Sequence, residues 1–124
     1  MATANKKKIK PLVSVLPIEP KDVDRFWPLC EFMIAEALTF SGKYADAEWI
    51  FRELKKDVMQ SWIMFGSDET EENKVFGVCV GRIAELPNFR QYEIIICTGK
   101  RREFWETQLV NQITDLQNIT NAKD

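Results

Sequence analysis

The 124 residues contain no histidine, which removes Ser-His and Cys-His nucleophile pairs, His-ligated zinc and imidazole acid/base catalysis together. Carboxylates, backbone amides, water, Lys, Tyr or Cys must carry any chemistry. Neither charge is in excess: 17 Lys and Arg stand against 19 Asp and Glu, a net charge of −2. The broad basic field of a nucleic-acid binder is therefore missing, and no nucleic-acid partner is expected. No stretch approaches the roughly 18–20 uninterrupted apolar residues of a membrane-spanning helix. Met1 to Lys10 has lysines but no signal-type apolar core behind them, so no membrane partner is expected either. Cysteine is scarce and odd in number. Cys30, Cys79 and Cys97 each lie inside an apolar run and read as reduced thiols acting as small core residues, which implies a cytoplasmic protein and no metal site.

What is present is enough for one core: 45% apolar and 29% charged residues fit a single globular domain. Residues 1–10, with Lys6, Lys7, Lys8 and Lys10, read as a flexible basic N-terminal tail, leaving 11–124 as the domain. Val13 to Ile18 is β-branched and bounded by Pro11 and Pro17, an edge strand. Val23, Phe26, Trp27, Cys30, Ile34, Ala37 and Leu38 then recur at spacings of three and four, one buried helical face, with Pro28 expected to kink the helix or delay its start. Ala47, Ile50, Phe51, Leu54 and Val58 mark a second, shorter helix ending near Lys55 and Lys56.

Gln60 to Gly66, Val75 to Leu86 and Arg90 to Thr98 read as three strands. Their short connections require an antiparallel meander. Within the last, the Ile94 to Cys97 run looks buried on both faces. Trp105, Leu109, Ile113 and Leu116 share one face of a final helix. The order is β-α-α-β-β-β-α, an α+β domain with a mainly antiparallel sheet flanked by helices.

The junction Cys97-Thr98-Gly99-Lys100-Arg101-Arg102 leads from a strand into a helix N-terminus, where orphan amides and the dipole attract an anion. Three basic residues beside one glycine make a phosphate or pyrophosphate sensible there; the plain alternative is a solvated turn. Glu93, on the same strand, is either a partly buried general base or an outward residue paired with an arginine such as Arg82. Gly77 and Gly81 leave room on one strand face for a backbone, a ligand or a bulky neighbour such as Trp62. Ser41 and Tyr44 flank the turn between the first two helices, within reach of a substrate or serving as cap and packing. Cys97 is either a reactive thiol or a core one.

Several segments together resemble the GNAT acyltransferase superfamily, in particular small GNAT-like proteins of bacteriophages. They are Val13-Ser14-Val15-Leu16-Pro17, Trp27-Pro28-Leu29, Ser41-Gly42-Lys43-Tyr44, Gln60-Ser61-Trp62-Ile63-Met64-Phe65, Val75-Phe76-Gly77-Val78-Cys79-Val80 and Arg90 to Thr98. The resemblance implies acetyl-CoA as cosubstrate, its pantetheine arm along Ile95, Ile96 and Cys97 and its phosphates at Thr98, Gly99, Lys100, Arg101 and Arg102. It further implies an amine acceptor, Glu93 or an ordered water as base, and strand-four amides polarising the thioester carbonyl. Of the family's phosphate-turn glycines only Gly99 is retained.

The family continues to a fifth strand, whereas this sequence stops at Asp124, so a domain shortened at the C-terminus is expected. Its fourth-strand edge would then be open to a homodimer or protein partner. The alternative to the enzyme is a noncatalytic GNAT-like phage protein, virion-associated or interacting with the host, in the host cytoplasm.

Overall fold

The computed structural model describes residues 10–41 and 46–122. The expected basic tail, and Tyr44 with the side chain of Ser41, lie outside the described residues apart from Lys10. The elements are β1 (Leu12–Ile18), a 3-10 turn (Pro20–Asp22), α1 (Val23–Ser41), α2 (Ala47–Lys55), β2 (Gln60–Ser67), β3 (Lys74–Glu85), β4 (Arg90–Gly99), a second 3-10 turn (Arg102–Phe104) and α3 (Glu106–Ala122). This is the order expected from the sequence. The strands pair antiparallel in the order β1-β2-β3-β4, and Pro17 sits in the edge strand β1, as its missing N–H requires.

Pro28 lies inside α1 and does not end it. One intrahelical bond, to the Asp24 carbonyl, is lost, but the turns on either side are pinned by Val23, Cys30, Ile34 and Leu38, all buried. Asp46 caps α2, its carboxylate accepting the Trp49 amide at 2.7 Å, while Arg52 and Lys55 occupy the last turn where the dipole favours cations. The helix ends at Lys55, where Lys55 and Lys56 were expected to close it, so Val58 falls beyond its last turn. Val58 is 52% exposed, and Met59 is buried instead.

Two apolar layers sandwich the sheet. Cys30, Ile34, Leu38, Ile50 and Leu54 meet Val78, Val80 and Ile96 on the α1/α2 side; Val13, Val15, Trp62, Met64, Phe76, Cys79 and Tyr92 meet Trp105 and Leu109 on the α3 side. Glutamines of α3 also satisfy backbone groups of the outer strands. Gln108 and Gln112 donate to the carbonyls of Val13 and Val15 at 2.8 and 2.9 Å, and Gln117 accepts the Tyr92 amide at 3.3 Å. Backbone groups on both outer strands are thus bonded from one helix.

Strict alternation fails at two bulges. Met64 faces Gly77 while Phe65 faces Val75, so Phe76 is an extra residue and turns to the α3 side, opposite Val78, with which the sequence pattern groups it. On β4, Val80 faces Ile96 while Gly81 faces Ile94, making Ile95 the extra residue. Tyr92 consequently enters the α3 layer and Ile96 the α1/α2 layer, although residues four apart on a regular strand share a face. The Ile94 to Cys97 run is not buried throughout: Ile94 is 47% exposed.

The two β3 glycines serve different neighbours. A Cβ at Gly81 would lie 2.2 Å from the Tyr92 ring, which crosses the strand here and meets Trp62 edge-on at 5.5 Å. At Gly77 it would lie 2.6 Å from the Thr98 carbonyl oxygen of β4. The bulky neighbour is Tyr92, and the close backbone belongs to the protein itself.

Candidate functional site

Glu93, the fourth residue of β4, and the turn after Gly99 lie along one strand. At roughly 3.3 Å per residue they stand about 20 Å apart, with the Ile94–Ile96 bulge between them. A single ligand touching both must be long, with an anionic end and a reactive end. Tyr92 points into the α3 layer, so Glu93 points to the α1/α2 side. Its carboxylate meets Arg82 Nε at 3.5 Å, both side chains nearly half exposed. The outward reading of Glu93, paired with Arg82, is the one the geometry gives. Being exposed, it remains accessible to a substrate.

At the other end, Gly99 has φ 154°, and a Cβ there would meet the Phe76 carbonyl oxygen at 2.5 Å. Only glycine fits this approach of β4 to β3. The Lys100 amide then bonds the Phe76 carbonyl at 2.8 Å, and Trp105, 1% exposed, donates from Nε1 to the Lys100 carbonyl at 2.8 Å. The turn is thereby held on both sides. Arg101 adopts the left-handed conformation, φ 57°, uncommon outside glycine and asparagine.

The three basic residues do not act together. Lys100 is exposed. Arg101 is bound to carboxylates: Nη1 reaches Glu69 at 2.7 Å and Asp68 at 3.7 Å, and Nε reaches Glu103 at 2.9 Å. Arg102 donates to the Cys97 carbonyl at 3.4 Å and lies against the Trp105 ring. Beside it is a hollow of about 340 Å³ lined by Arg102, Glu103, Glu106, Thr107 and Val110. For a CoA pyrophosphate, the first turn of α3 and Arg102 fit, and the carboxylates of Glu103 and Glu106 oppose. A second hollow of about 320 Å³, lined by Pro17, Trp62, Leu116 and Ile119 among others, adjoins the opposite edge of the sheet. No group of His, Cys, Asp and Glu among the described residues is arranged to hold a metal ion, and no described helix is long and apolar enough to cross a membrane.

The acidic clasp on Arg101 is the feature the sequence reading misses. Asp68 is 4% exposed; its Oδ1 accepts the Thr70 hydroxyl at 2.7 Å and the Thr70 and Glu71 amides at 2.8 Å each. The signal was the Asp-x-Thr of an Asx turn, but its partner lies in the turn after β4. The Thr70 hydroxyl and these amides hold the Asp68 carboxyl down at about 2. The Arg101 guanidinium lowers Glu69, and the Glu103 backbone amide together with Arg101 lowers Glu103.

Carboxyls depressed on folding stabilise the protein above their unfolded values near 4, and that contribution is lost as pH falls through the folded values. Asp68→Ala is therefore expected to lower the melting temperature at pH 7. The gap from the parent should close between about pH 4 and 2; a gap unchanged at pH 2 would contradict this account.

No family model matches the chain, and no curated protein sequence is similar to it. Solved structures are. An aminoglycoside acetyltransferase from an uncultured soil metagenomic sample superposes with a TM-score of 0.61 at 16% identity, covering 90% of this chain and 75% of the other. A ribosomal-protein-alanine N-acetyltransferase from Brucella melitensis biovar Abortus 2308 gives 0.58 at 16%, covering 87% and 73%. A predicted acetyltransferase from Clostridium acetobutylicum, solved with acetyl-CoA, gives 0.56 at 12%, covering 89% and 76%. The fold of this chain is the GNAT-like fold expected from the sequence, shared with acetyltransferases.

Proposed function

We propose that this protein is a GNAT-like acyltransferase that moves an acetyl or other acyl group from acyl-CoA to an amine. The observation that carries the reading is β4 itself: in a fold shared with acetyltransferases, it joins an accessible carboxylate, a bulge and a helix-starting turn in one line. Bound acyl-CoA would supply an acyl carbon activated by its thioester. Ile95, Ile96 and Cys97 would line the pantetheine arm, and Thr98 to Arg102 with the first turn of α3 would face the phosphates. Glu93, held by Arg82, would take the proton that the acceptor amine loses on attack. Backbone amides near the bulge would orient the acyl carbonyl, a role that needs no imidazole.

Calorimetric titration with acetyl-CoA tests this directly. Saturable binding is expected, and Arg102→Ala should weaken it roughly tenfold, the worth of one charge-assisted hydrogen bond. No heat at millimolar acetyl-CoA, with the protein folded, overturns the reading.

One observation favours a second reading, a noncatalytic interaction protein. Arg101 is spent on internal carboxylates, and β4 is an outer strand among the described residues, with Ile94 and Phe89 about half exposed. Such a protein would pair that edge with a strand of a second copy or another protein. It would sediment as a complex and ignore acetyl-CoA.

A further inference from the structure

We propose that Cys79 and Cys97 form a dithiol modification site that exchanges with low-molecular-weight disulfides and closes a cross-strand disulfide between β3 and β4. The two residues stand directly opposite each other in the ladder. Opposed residues of an antiparallel pair have Cα atoms about 4.5–5.5 Å apart, inside the roughly 4.4–6.8 Å that a disulfide spans. Both side chains are on the α3 side of the sheet, Cys79 within the apolar layer and Cys97 packed against it.

The pair is asymmetric in the way exchange requires. Cys79 is fully buried, whereas Cys97, near the end of its strand, is partly exposed. A hydrogen bond from the Cys79 thiol, with help from the Arg102 charge and against burial and Glu106, lowers the Cys97 thiol below its ordinary value. Cys79 moves the other way, keeping its proton. A thiolate within reach of solvent attacks, and a buried thiol in contact with it resolves.

The steps balance with an external disulfide such as oxidised glutathione. The Cys97 thiolate attacks one glutathione sulfur, the glutathione S–S bond breaks, and one glutathione thiolate leaves. The Cys79 thiol gives up its proton to that thiolate or to water, and its sulfur attacks Sγ of Cys97, releasing the second glutathione. Two protein thiols are oxidised by two electrons, and one small disulfide becomes two thiols.

Cys30 provides the internal comparison. It sits in the α1/α2 layer across the sheet, donates to the Phe26 carbonyl at 3.5 Å, and burial pushes its thiol up to about 11. It should stay reduced.

The folded protein is incubated with oxidised glutathione, its remaining thiols are alkylated, and intact mass and disulfide-linked peptides are read. The expected result is loss of two of the three thiols, no retained glutathione, and a Cys79–Cys97 cross-linked peptide. Cys79→Ser should instead trap one glutathione on Cys97, and Cys97→Ser should react more than tenfold more slowly. In the parent protein, three surviving thiols overturn the proposal, as does a glutathione adduct that persists on Cys97 with Cys79 still free. These readouts on the parent stand whether or not either variant folds.

Discussion

Trp105→Ala is expected to destabilise the protein by about 3–5 kcal/mol, the usual cost of emptying a large buried aromatic site. Trp105 is 1% exposed and belongs to the layer formed by Val13, Val15, Phe76 and Leu109. Domains of this kind have a total stability of about 5–15 kcal/mol, so one substitution removes a large fraction of it. A fall in melting temperature of roughly 10–20 °C should follow. The effect is not packing alone: the indole N–H satisfies the Lys100 carbonyl at 2.8 Å, and losing it leaves that carbonyl short of a donor. Trp105→Phe separates the two contributions. It keeps most of the apolar contact and should cost about 1–3 kcal/mol. A melting temperature for the alanine variant within a few degrees of the parent would show that α3 is not anchored at this end.

Glu93→Gln should leave the fold intact and lower turnover by about 100- to 10,000-fold, the range of a lost general base. The structural cost is small because the Arg82 pair is exposed, and such pairs contribute only about 0–1 kcal/mol. Acetyl-CoA binding should be unchanged, since the turn proposed to face the phosphates is about 20 Å away along the strand. The measurement is CoA release from acetyl-CoA in the presence of a panel of amines, with melting temperature and calorimetric affinity in parallel. Parent-like turnover in the variant would remove Glu93 from the reaction and leave an ordered water as base.

The element order was legible because its signals are local. The α1 stripe from Val23 to Leu38 has helical spacing, and the connections between β2, β3 and β4 are too short for crossovers. The end of α2 was legible from Lys55 and Lys56, but the core residue just past it was not: Met59, not Val58, is taken into the core.

What stayed hidden depends on tertiary pairing. The bulges at Phe76 and Ile95 leave no mark in the alternation of apolar residues, since β-branched residues serve either face equally well. Gly81 hinted that something bulky crosses β3, but that it is Tyr92 follows only from the register. The candidate site was half legible. Gly99 was placed correctly at the end of β4, but the helix was expected too early: a 3-10 turn (Arg102–Phe104) intervenes and α3 starts at Glu106. For Glu93, the geometry gives the outward reading, paired with Arg82. The capture of Arg101 by Asp68 and Glu69, 33 and 32 positions earlier, was out of reach because an acidic turn does not announce which arginine it will hold.

The extra residue at Ile95 makes β4 a strand read in two frames. Before it, even-numbered residues such as Tyr92 face α3; after it, odd-numbered Cys97 does. Closing the ladder by removing that one residue, with the turn after Gly99 held fixed, would exchange the two sides of everything upstream. Tyr92 would leave its slot over Gly81, and the Glu93 carboxylate would turn into an apolar layer. Which face of the sheet carries the Glu93 carboxylate is thus decided by a length difference of one residue between neighbouring strands, a property no single side-chain substitution can alter.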